Sequence, residues 1–221
     1  MNRYSSGKFT GQYKATIGAD FLSKDTFVAD QFGVRRQVTL QIWDTAGQER
    51  FQSLGNSFYR GSDACLLVYD ITDPHSLDNL DHWRREFLNH VGGTGLDDFG
   101  SGSCLGQSSF PFVVLGNKMD KEQDRLVPLE RAEEWCRRAS QAFAMGTSRP
   151  LAHFETSAKT AIHVDDAFQE AARLALQYEA YKQRSTPQLF VPPPPGHAPV
   201  DLRYQNSAMS TTSSSQQNSC C

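Results

Sequence analysis

The residues Asp44-Thr45-Ala46-Gly47-Gln48 combine three groups that phosphoryl transfer requires, directly after a stretch of alternating apolar and polar side chains. Asp44 can hold Mg²⁺ through water, the backbone N–H of Gly47 can bind a γ-phosphate, and Gln48 can orient an attacking water molecule. A surface turn with a capping aspartate would also contain Asp-x-x-Gly, and this tetrapeptide is common by chance. The motif therefore predicts nucleotide chemistry only together with further motifs.

A second motif, Asn117-Lys118-Met119-Asp120, follows a continuous apolar run. The carboxylate of Asp120 can accept two N–H bonds from the edge of guanine. Adenine cannot supply them, so bound ATP would leave a buried carboxylate unpaired. Asn117 can brace neighbouring loops, and the stem of Lys118 can cover the plane of the base. The alternative is an ordinary polar turn.

A third motif, Glu155-Thr156-Ser157-Ala158-Lys159, lies between the last strand-like segment and the last helical pattern. Its backbone N–H groups can contact the oxygen of the base, and the small side chain of Ala158 allows a close approach. Taken alone, this motif is weak. Because doubly wound sheets bind ligands at the carboxyl ends of their strands, the three motifs in this order predict one guanine-nucleotide site.

Strand-like segments precede the motifs and supply the elements that would position them. Residues 38–43 alternate between apolar and polar side chains, and residues 21–30 can pair with them as a hairpin through Gln31-Phe32-Gly33. Three further candidates are short apolar segments, as expected of strands that are covered on both faces. They are residues 64–69, 112–115 and the weaker 151–154.

Helical periodicity fills the gaps between these strands. Apolar residues recur at helical spacing in three segments, which are residues 77–91, 132–143 and 164–178. Such stripes are typical of helix faces that pack into a core. Strands that alternate with helices predict the α/β class, with a mostly parallel, doubly wound sheet.

Composition divides the chain into a domain of residues 1–184 and a tail of residues 185–221. Six of the ten prolines lie in the tail, followed by a stretch rich in Ser, Thr and Gln, and this composition predicts disorder. Within the domain, residues 92–109 and 146–150 contain clusters of turn-forming residues and are predicted to be loops.

The bulk composition excludes several classes of function. The net charge of −3 argues against a nucleic-acid-binding surface, and the five cysteines do not have metal-site spacing. Cys65 and Cys136 fall on apolar positions and are expected to be core residues of a protein in a reducing, cytoplasmic compartment. No apolar run reaches the ~18 residues that a membrane-spanning helix needs.

Several stretches resemble the Rab branch of the Ras superfamily of small GTPases. Residues 43–51, WDTAGQERF, and the later residues 59–61, YRG, are similar to the Rab switch II segment. Residues 13–21, YKATIGADF, look like switch I of the late-endosomal and vacuolar Rabs, and residues 110–118 point to the same group. The resemblance covers about residues 1–180.

The resemblance implies a GTPase that binds Mg²⁺, cycles between GTP and GDP states, recruits effectors in the GTP state, and serves traffic to late endosomes, lysosomes or vacuoles. It implies that Gln48 positions the hydrolytic water and that Thr16 joins Asp44 at Mg²⁺ and the γ-phosphate. The implied nucleotide contacts are Tyr13, Thr16, Asp44, Gly47, Asn117, Lys118, Asp120, Ser157, Ala158 and Lys159. The implied partner surface consists of Ile17, Phe21, Trp43, Phe51 and Tyr59.

The same resemblance implies a lipid anchor and a set of partners. The resemblance implies that Cys220 and Cys221 carry geranylgeranyl groups. Two lipid chains suffice for stable anchoring to the cytoplasmic face of late-endosomal, lysosomal or vacuolar membranes. The tail has one arginine and no lysine, so a polybasic contribution is not expected. The implied partners of a monomeric chain are effectors, exchange factors, GTPase-activating proteins, a prenyltransferase with its escort and a GDP-dissociation inhibitor.

One motif of related domains is missing from the sequence. Such domains open with a strand, a glycine-rich loop G-x-x-x-x-G-K-[ST] and a helix, and residues 1–4 align best with the end of that helix. Gly7-Lys8 does not match the loop, because Asn2 stands where its first glycine belongs and Phe9 where a Ser or Thr belongs. We expect an incomplete chain, with a truncated isoform as the alternative, and two inner strand edges left unpaired.

Without this loop the chain as given is expected to bind GTP weakly. Charge-assisted hydrogen bonds are worth roughly 1.5–3 kcal/mol each, so the loss of three would cost about 4.5–9 kcal/mol. The alternative function is that of a nucleotide-free protein that presents the switch surface and sequesters Rab regulators or effectors.

Overall fold

The computed structural model describes residues 1–12, 14–30, 32–47, 58–91, 110–141 and 150–185. Five residues with predicted roles lie outside these ranges, namely Tyr13, Gln48, Phe51, Cys220 and Cys221. The predicted loops at 92–109 and 146–150 lie outside them as well, apart from Pro150, and so does the predicted tail apart from Ser185. No helix in the described ranges is long and apolar enough to cross a bilayer.

The first sheet is a long antiparallel hairpin. Strand β1, Ala19–Ala29, pairs along its whole length with strand β2, Arg35–Thr45. In the connecting turn Gly33 has a φ of 76°, a left-handed conformation that glycine adopts without steric cost. The hairpin that side-chain alternation predicts is confirmed, and both strands extend beyond the alternating segment.

The second sheet has three parallel strands in the order β3, β4, β5. They are β3, Cys65–Asp70; β4, Phe112–Asn117; and β5, Ala152–Glu155. The α-helices of the described ranges are α1, Asn2–Ser6; α2, Pro74–Asp78; α3, Leu80–Val91; α4, Leu129–Gln141; and α5, Val164–Ser185. Each predicted apolar segment is confirmed as a strand, and each predicted helical stripe lies on a helix or on a pair of helices.

Helices cover both faces of the three-stranded sheet. Successive side chains of a strand point to opposite faces, so neighbouring residues of one strand pack on different helices. On one face Leu67 and Phe112 belong to the main core, which includes residues of α3 and α4. On the other face Val113 and Leu115 pack with Ala167 of α5. The predicted doubly wound α/β class is confirmed.

Within the described residues, no hydrogen-bonded strand pair joins β2 to β3, so each strand has an unpaired edge, as expected from the sequence. Side chains connect the two sheets instead. Leu40 and Ile42 of β2 and Leu66 of β3 pack on one cluster formed by residues of α1 and α5. Farther along β3, Val68 is 53% exposed, although strands of this kind are usually covered on both faces.

Helix α1 is held against the domain by its buried residue, Tyr4. The Tyr4 ring stacks on Phe168 of α5 with centroids 4.0 Å apart, and the Lys24 ammonium lies 3.6 Å from the Tyr4 ring centroid. The helix ends at Gly7, whose φ is 67° and whose N–H donates to the carbonyl of Arg3. Gly7 is therefore a helix C-cap, which agrees with the rejection of Gly7-Lys8 as a phosphate loop.

The two described cysteines are unreactive. Cys136 is buried, and Cys65 is half-buried at the edge of the same core. Burial raises the pKa of each thiol to about 12, so neither forms a thiolate near neutral pH. The prediction of core cysteines is confirmed for Cys136 and in part for Cys65.

Candidate functional site

The second and third motifs meet at one edge of the parallel sheet. The register aligns Asp70 at the end of β3 with Asn117 at the end of β4, and Gly116 with Glu155 of β5. Because the strands are parallel, the loops that follow β4 and β5 leave from the same edge. The backbone ties these loops together, since the N–H of Met119 donates to the carbonyl of Thr156 over 3.0 Å.

Asp120 and Ser157 are joined by a part-buried hydrogen bond between their side chains at this edge. Ser157 is fully buried, and its hydroxyl donates to Oδ1 of Asp120 over 2.6 Å. The Asp120 side chain is only 12% exposed, and the Lys159 ammonium lies 3.9 Å from its Oδ2. A carboxylate held in this way has a fixed orientation and retains acceptor capacity for donors on a ligand.

Asn117 links the two loops directly. Its side-chain Oδ1 accepts the backbone N–H of Ala158 over 3.1 Å. The amide lies at the end of β4 and its partner follows β5, so one hydrogen bond fixes the separation of the two loops. This contact joins two residues that the sequence analysis assigns to the same nucleotide.

Lys118 adopts a backbone conformation that is unusual for a residue with a side chain. Its φ is 73°, and such strain is concentrated at functional sites. The ammonium binds Oδ2 of Asp70 at 2.5 Å, so the side chain reaches from β4 to the end of β3. Burial alone would raise the pKa of Asp70, but hydrogen bonds from Lys118 and Thr72 outweigh it and hold that pKa below its usual value.

A close-packed layer under the site explains why β4 contains a glycine. A Cβ atom at Gly116 would overlap the ring and hydroxyl of Tyr69, which is buried and lies 3.1 Å from Nε2 of His153. Burial lowers the pKa of His153, so this imidazole stays neutral at neutral pH. The sequence analysis missed this layer, although a glycine inside an apolar strand is a known sign of close approach.

Arg125 anchors the third motif from the side. Its guanidinium donates to both carboxylate oxygens of Glu155, at 2.6 and 2.8 Å, and also binds Glu122. The hydrogen bonds with Glu155 and then Glu122 raise the pKa of Arg125. The turn after Asp120 is thereby fixed to β5. Sequence reasoning missed Arg125, because an arginine in a polar turn carries no signal of a partner thirty residues away.

The first motif lies at the open end of the hairpin, where Thr16 and Asp44 meet. The Thr16 hydroxyl donates to Oδ2 of Asp44 over 2.9 Å, and the N–H of Ala46 donates to the carbonyl of Gly18 over 2.9 Å. Thr16 is half-buried, whereas Asp44 and Gly47 are exposed. The structure thus brings the two predicted Mg²⁺ ligands together at a solvent-accessible position.

The Thr16 and Asp44 side chains offer hard oxygen donors, which suit Mg²⁺. Among the residues that the structure describes, no group of three or more His, Cys, Asp or Glu side chains could hold a metal ion. Mg²⁺ commonly keeps several waters and binds through one or two protein ligands plus phosphate oxygens. A donor set of one hydroxyl and one carboxylate therefore fits Mg²⁺ bound with a nucleotide.

The residues of the predicted partner surface differ in exposure. Ile17 is 72% exposed, and Phe21 and Trp43 face solvent side by side with ring centroids 4.7 Å apart. Phe58 also stacks on Trp43, with ring centroids 4.6 Å apart. Tyr59 is half-buried and packs on the main core, so it contributes only an edge to this aromatic surface.

The chain matches known proteins along most of its length. Residues 1–177 match the model of the family described as "Ras family". The chain is 50% identical to Ras-related protein Rab-7a of Dictyostelium discoideum over 179 residues, which is 81% of this chain and 76% of that protein. It is 49% identical to Ras-related protein Rab7 of Drosophila melanogaster over 180 residues, 81% and 74% of the two chains. It is also 48% identical to Ras-related protein Rab-7a of Paramecium octaurelia, over 81% of this chain and 75% of that one.

Proposed function

This chain belongs to the Ras family and is a Rab7-like small GTPase, and on that premise we propose that it is a membrane-traffic switch that reads guanine nucleotides at the site described above. In the GTP state it recruits effectors, and hydrolysis to GDP releases them. Guanine is bound at the ends of β4 and β5, and the phosphates lie toward the open end of the hairpin.

The observation that carries this proposal is the part-buried hydrogen bond between Asp120 and Ser157. A carboxylate that is 12% exposed and receives a hydroxyl at 2.6 Å is positioned before any ligand arrives. It accepts the two N–H groups on the edge of guanine. Adenine offers no such pair of donors, and leaving the carboxylate without partners costs binding energy, so ATP is rejected.

The remaining base contacts come from the loops that Asn117 links. The stem of Lys118 covers one face of the base while its ammonium stays with Asp70. Lys159 directs its backbone N–H toward the base oxygen, while the N–H of Ala158 is held by Asn117 and the small side chain of Ala158 lets the base approach. Each contact uses a group whose position is fixed by a bond within the protein.

On the phosphate side, Thr16 and Asp44 hold Mg²⁺ directly or through water, and Gly47 donates its N–H to the γ-phosphate. When bound, Mg²⁺ neutralises charge on the phosphate oxygens. Gln48 orients the hydrolytic water. Tyr13 packs near the nucleotide.

Effector recruitment is assigned to the exposed aromatic surface of Phe21 and Trp43 with Ile17, at the same end of the hairpin as Thr16. The exposed edge of Tyr59 adds to this surface, and Phe51, which lies outside the described residues, is assigned to it by the resemblance alone. A γ-phosphate that orders Thr16 would therefore also order the neighbouring surface. The Rab7 names of the relatives support traffic at late endosomes, lysosomes or vacuoles. The proposed anchor to the cytoplasmic membrane face is lipid on Cys220 and Cys221, which rests on the resemblance of the terminal residues alone. The implied regulators are an exchange factor, a GTPase-activating protein, a prenyltransferase escort and a GDP-dissociation inhibitor.

Titration of the 221-residue chain with a fluorescent GDP analogue tests the nucleotide part of this proposal. GDP should displace the analogue, and ADP should not. Asp120→Asn exchanges an acceptor for a donor and should shift the preference from guanosine to xanthosine diphosphate, whose base carries a carbonyl oxygen in place of the amino group. Asp78→Asn, a change at an exposed acid paired with Arg131, is the matched control and should bind as the native chain does.

A native chain that binds no GDP analogue at any accessible concentration would contradict this function. It would favour the nucleotide-free alternative, in which the exposed aromatic surface binds Rab regulators or effectors without a nucleotide. Co-precipitation of a purified Rab effector with the nucleotide-free chain would then be the positive test of that alternative.

A further inference from the structure

Arg3 of helix α1 donates hydrogen bonds to two backbone carbonyls of the third motif. Its Nε donates to the carbonyl of Ala158 over 2.7 Å, and its Nη2 donates to the carbonyl of Lys159 over 2.6 Å. Its Nη1 binds the carbonyl of Gly7, the C-cap of the same helix. One planar guanidinium therefore holds two successive carbonyls of a loop that is 155 residues away in sequence.

The two contacts fix the orientation of two peptide planes. All peptide bonds of the described residues are trans, so the N–H of each plane points away from its carbonyl. The Ala158 carbonyl faces Arg3, and the N–H of Lys159 in the same plane must therefore face the opposite side. The Lys159 carbonyl also faces Arg3, which turns the N–H of Thr160 away in the same manner.

The side opposite Arg3 is the side of the proposed base contacts. The N–H of Thr160 donates to Oγ of Ser157 over 3.0 Å, and that hydroxyl donates to Asp120 over 2.6 Å. A peptide N–H that points away from Arg3 thus points toward the Asp120 carboxylate. The N–H of Lys159 lies one plane earlier and has the same orientation relative to Arg3.

Arg3 can impose this orientation because helix α1 does not move freely. Tyr4, the next residue, is 4% exposed and stacks on Phe168 of α5. Its carbonyl also accepts the Lys24 ammonium over 2.6 Å. The guanidinium is therefore carried by a helix that is anchored on both a neighbouring helix and the hairpin.

We propose that Arg3 is a positioning residue for base recognition, which turns the backbone N–H of Lys159 toward the carbonyl oxygen of guanine. The inference rests on the proposed function, since it assumes that guanine binds beside Asp120. It adds a residue that touches no part of the nucleotide. It also connects helix α1 to the selection of the base.

Arg3→Gln tests the proposal through base selectivity rather than affinity alone. The probes are GDP and 6-thioguanosine diphosphate, which keeps the N–H groups for Asp120 but replaces the base oxygen with a weaker acceptor. Arg3→Gln should lower the affinity for GDP by about tenfold, the change that corresponds to one lost hydrogen bond. The affinity for the thio analogue should change much less, so the preference for GDP should shrink.

Two variants and one independent measurement complete the experiment. Arg3→Lys keeps the charge but lacks the rigid fork, so its selectivity should fall between the native chain and Arg3→Gln. Arg131→Gln removes an exposed arginine from α4 and should leave selectivity unchanged. Amide hydrogen exchange at Thr160, whose N–H donates to Oγ of Ser157, should become faster without nucleotide in Arg3→Gln and stay at the native rate in Arg131→Gln.

The possible outcomes separate this inference from the proposed function. Equal losses of affinity for GDP and the thio analogue in Arg3→Gln would show a general structural role and overturn the inference. Native selectivity together with native amide exchange in Arg3→Gln would also overturn it. In either case GDP binding by the native chain leaves the proposed function intact. Failure of the native chain to bind GDP would overturn the proposed function itself and remove the ligand on which Arg3 is inferred to act.

Discussion

The two halves of the candidate site differ in how firmly the protein holds them. On the base side, the Asp120 side chain is 12% exposed and bonds to fully buried Ser157 at 2.6 Å, and Asn117 binds the neighbouring loop. On the phosphate side, the side-chain bond between the two proposed Mg²⁺ ligands joins half-buried Thr16 to exposed Asp44. The base side is formed in advance by the fold, whereas the phosphate side must gain order from its ligand.

This contrast suits a switch. A ligand shifts a conformational equilibrium only by contacts that differ between the two states. GTP and GDP share the guanine base, so the contacts proposed at Asp120 would be the same for both and would set affinity without switching. The γ-phosphate belongs to GTP alone, so the segment that responds to it must be the less constrained one, which is the segment around Thr16.

The largest expected effect comes from removing the Asp120 carboxylate. Asp120→Ala should reduce GDP affinity by about a hundredfold, because two hydrogen bonds to a charged group are lost. Competition with a fluorescent GDP analogue measures this change. A loss smaller for Asp120→Ala than for Asp44→Ala would reverse the comparison and make the phosphate side the source of GDP affinity.

Substitution in the packed layer of Gly116 and Tyr69 beneath the base side should have the next largest effect. This effect is expected mainly in the free energy of unfolding. Gly116→Ala introduces a Cβ that overlaps Tyr69, and overpacking of this kind typically costs about 1–3 kcal/mol. Urea unfolding followed by tryptophan fluorescence measures the free energy of unfolding. Gly11→Ala is the matched control, since a Cβ there meets no atom within 4 Å. Equal stability of the two variants would show that the layer is not tightly packed.

His153 should make the stability of this layer depend on pH. Burial lowers the pKa of His153 below its usual 6.5, so below pH 6.5 the unfolded chain binds a proton that the folded chain does not. Stability is therefore retained above pH 6.5 and falls as the pH drops from 6.5 toward the folded pKa. His153→Gln should reduce the loss of unfolding free energy between pH 7 and pH 5.5.

Tyr69→Phe sharpens the assignment of this pH dependence. It removes the hydroxyl that lies 3.1 Å from Nε2 of His153 but keeps the ring that buries the imidazole. Because burial is the main cause of the lowered pKa, the loss of stability toward pH 5.5 should persist in Tyr69→Phe. Its disappearance would assign the effect to the hydrogen bond.

The smallest expected effect is on the phosphate side. Thr16→Ala removes one solvent-accessible hydrogen bond, and such bonds contribute little to stability, so urea unfolding should change by less than the error of the extrapolation. GDP affinity should change less than about threefold, which corresponds to under 1 kcal/mol. Mg²⁺-dependent GTP affinity should fall more than GDP affinity. An equal loss for both nucleotides would contradict the assignment of Thr16 to the γ-phosphate.

The elements with periodic side chains were predictable from the sequence. Alternation at residues 38–43 gave the hairpin, and short apolar runs gave the parallel strands. Residues 77–91 have one helical stripe, but the structure divides them between α2 and α3. The start of α2 is marked by Asp73, whose side chain accepts the N–H of His75, and by Pro74 at the first turn. These capping signals precede the apolar stripe, so a search for periodicity alone does not detect them.

The side chains that bear ligand chemistry were also predictable, because Asp120, Ser157 and Asp44 occur in recognisable motifs after strands. The supporting residues were not. Arg3 and Arg125 are ordinary surface types in sequence, and each gains its partner only when segments distant along the chain come together. A sequence motif identifies the residues that contact the ligand. The residues that orient them can be identified only from tertiary contacts.

The separation of the two sheets has a consequence for the order in which the protein folds. The hairpin of residues 19–45 involves only neighbouring segments, so it can begin to pair once these residues have left the ribosome, although an isolated hairpin is marginally stable. The parallel sheet is complete only when Ala152–Glu155 has been made, more than a hundred residues later. During synthesis, the nascent chain therefore presents the Thr16–Asp44 end before the guanine-binding loops exist.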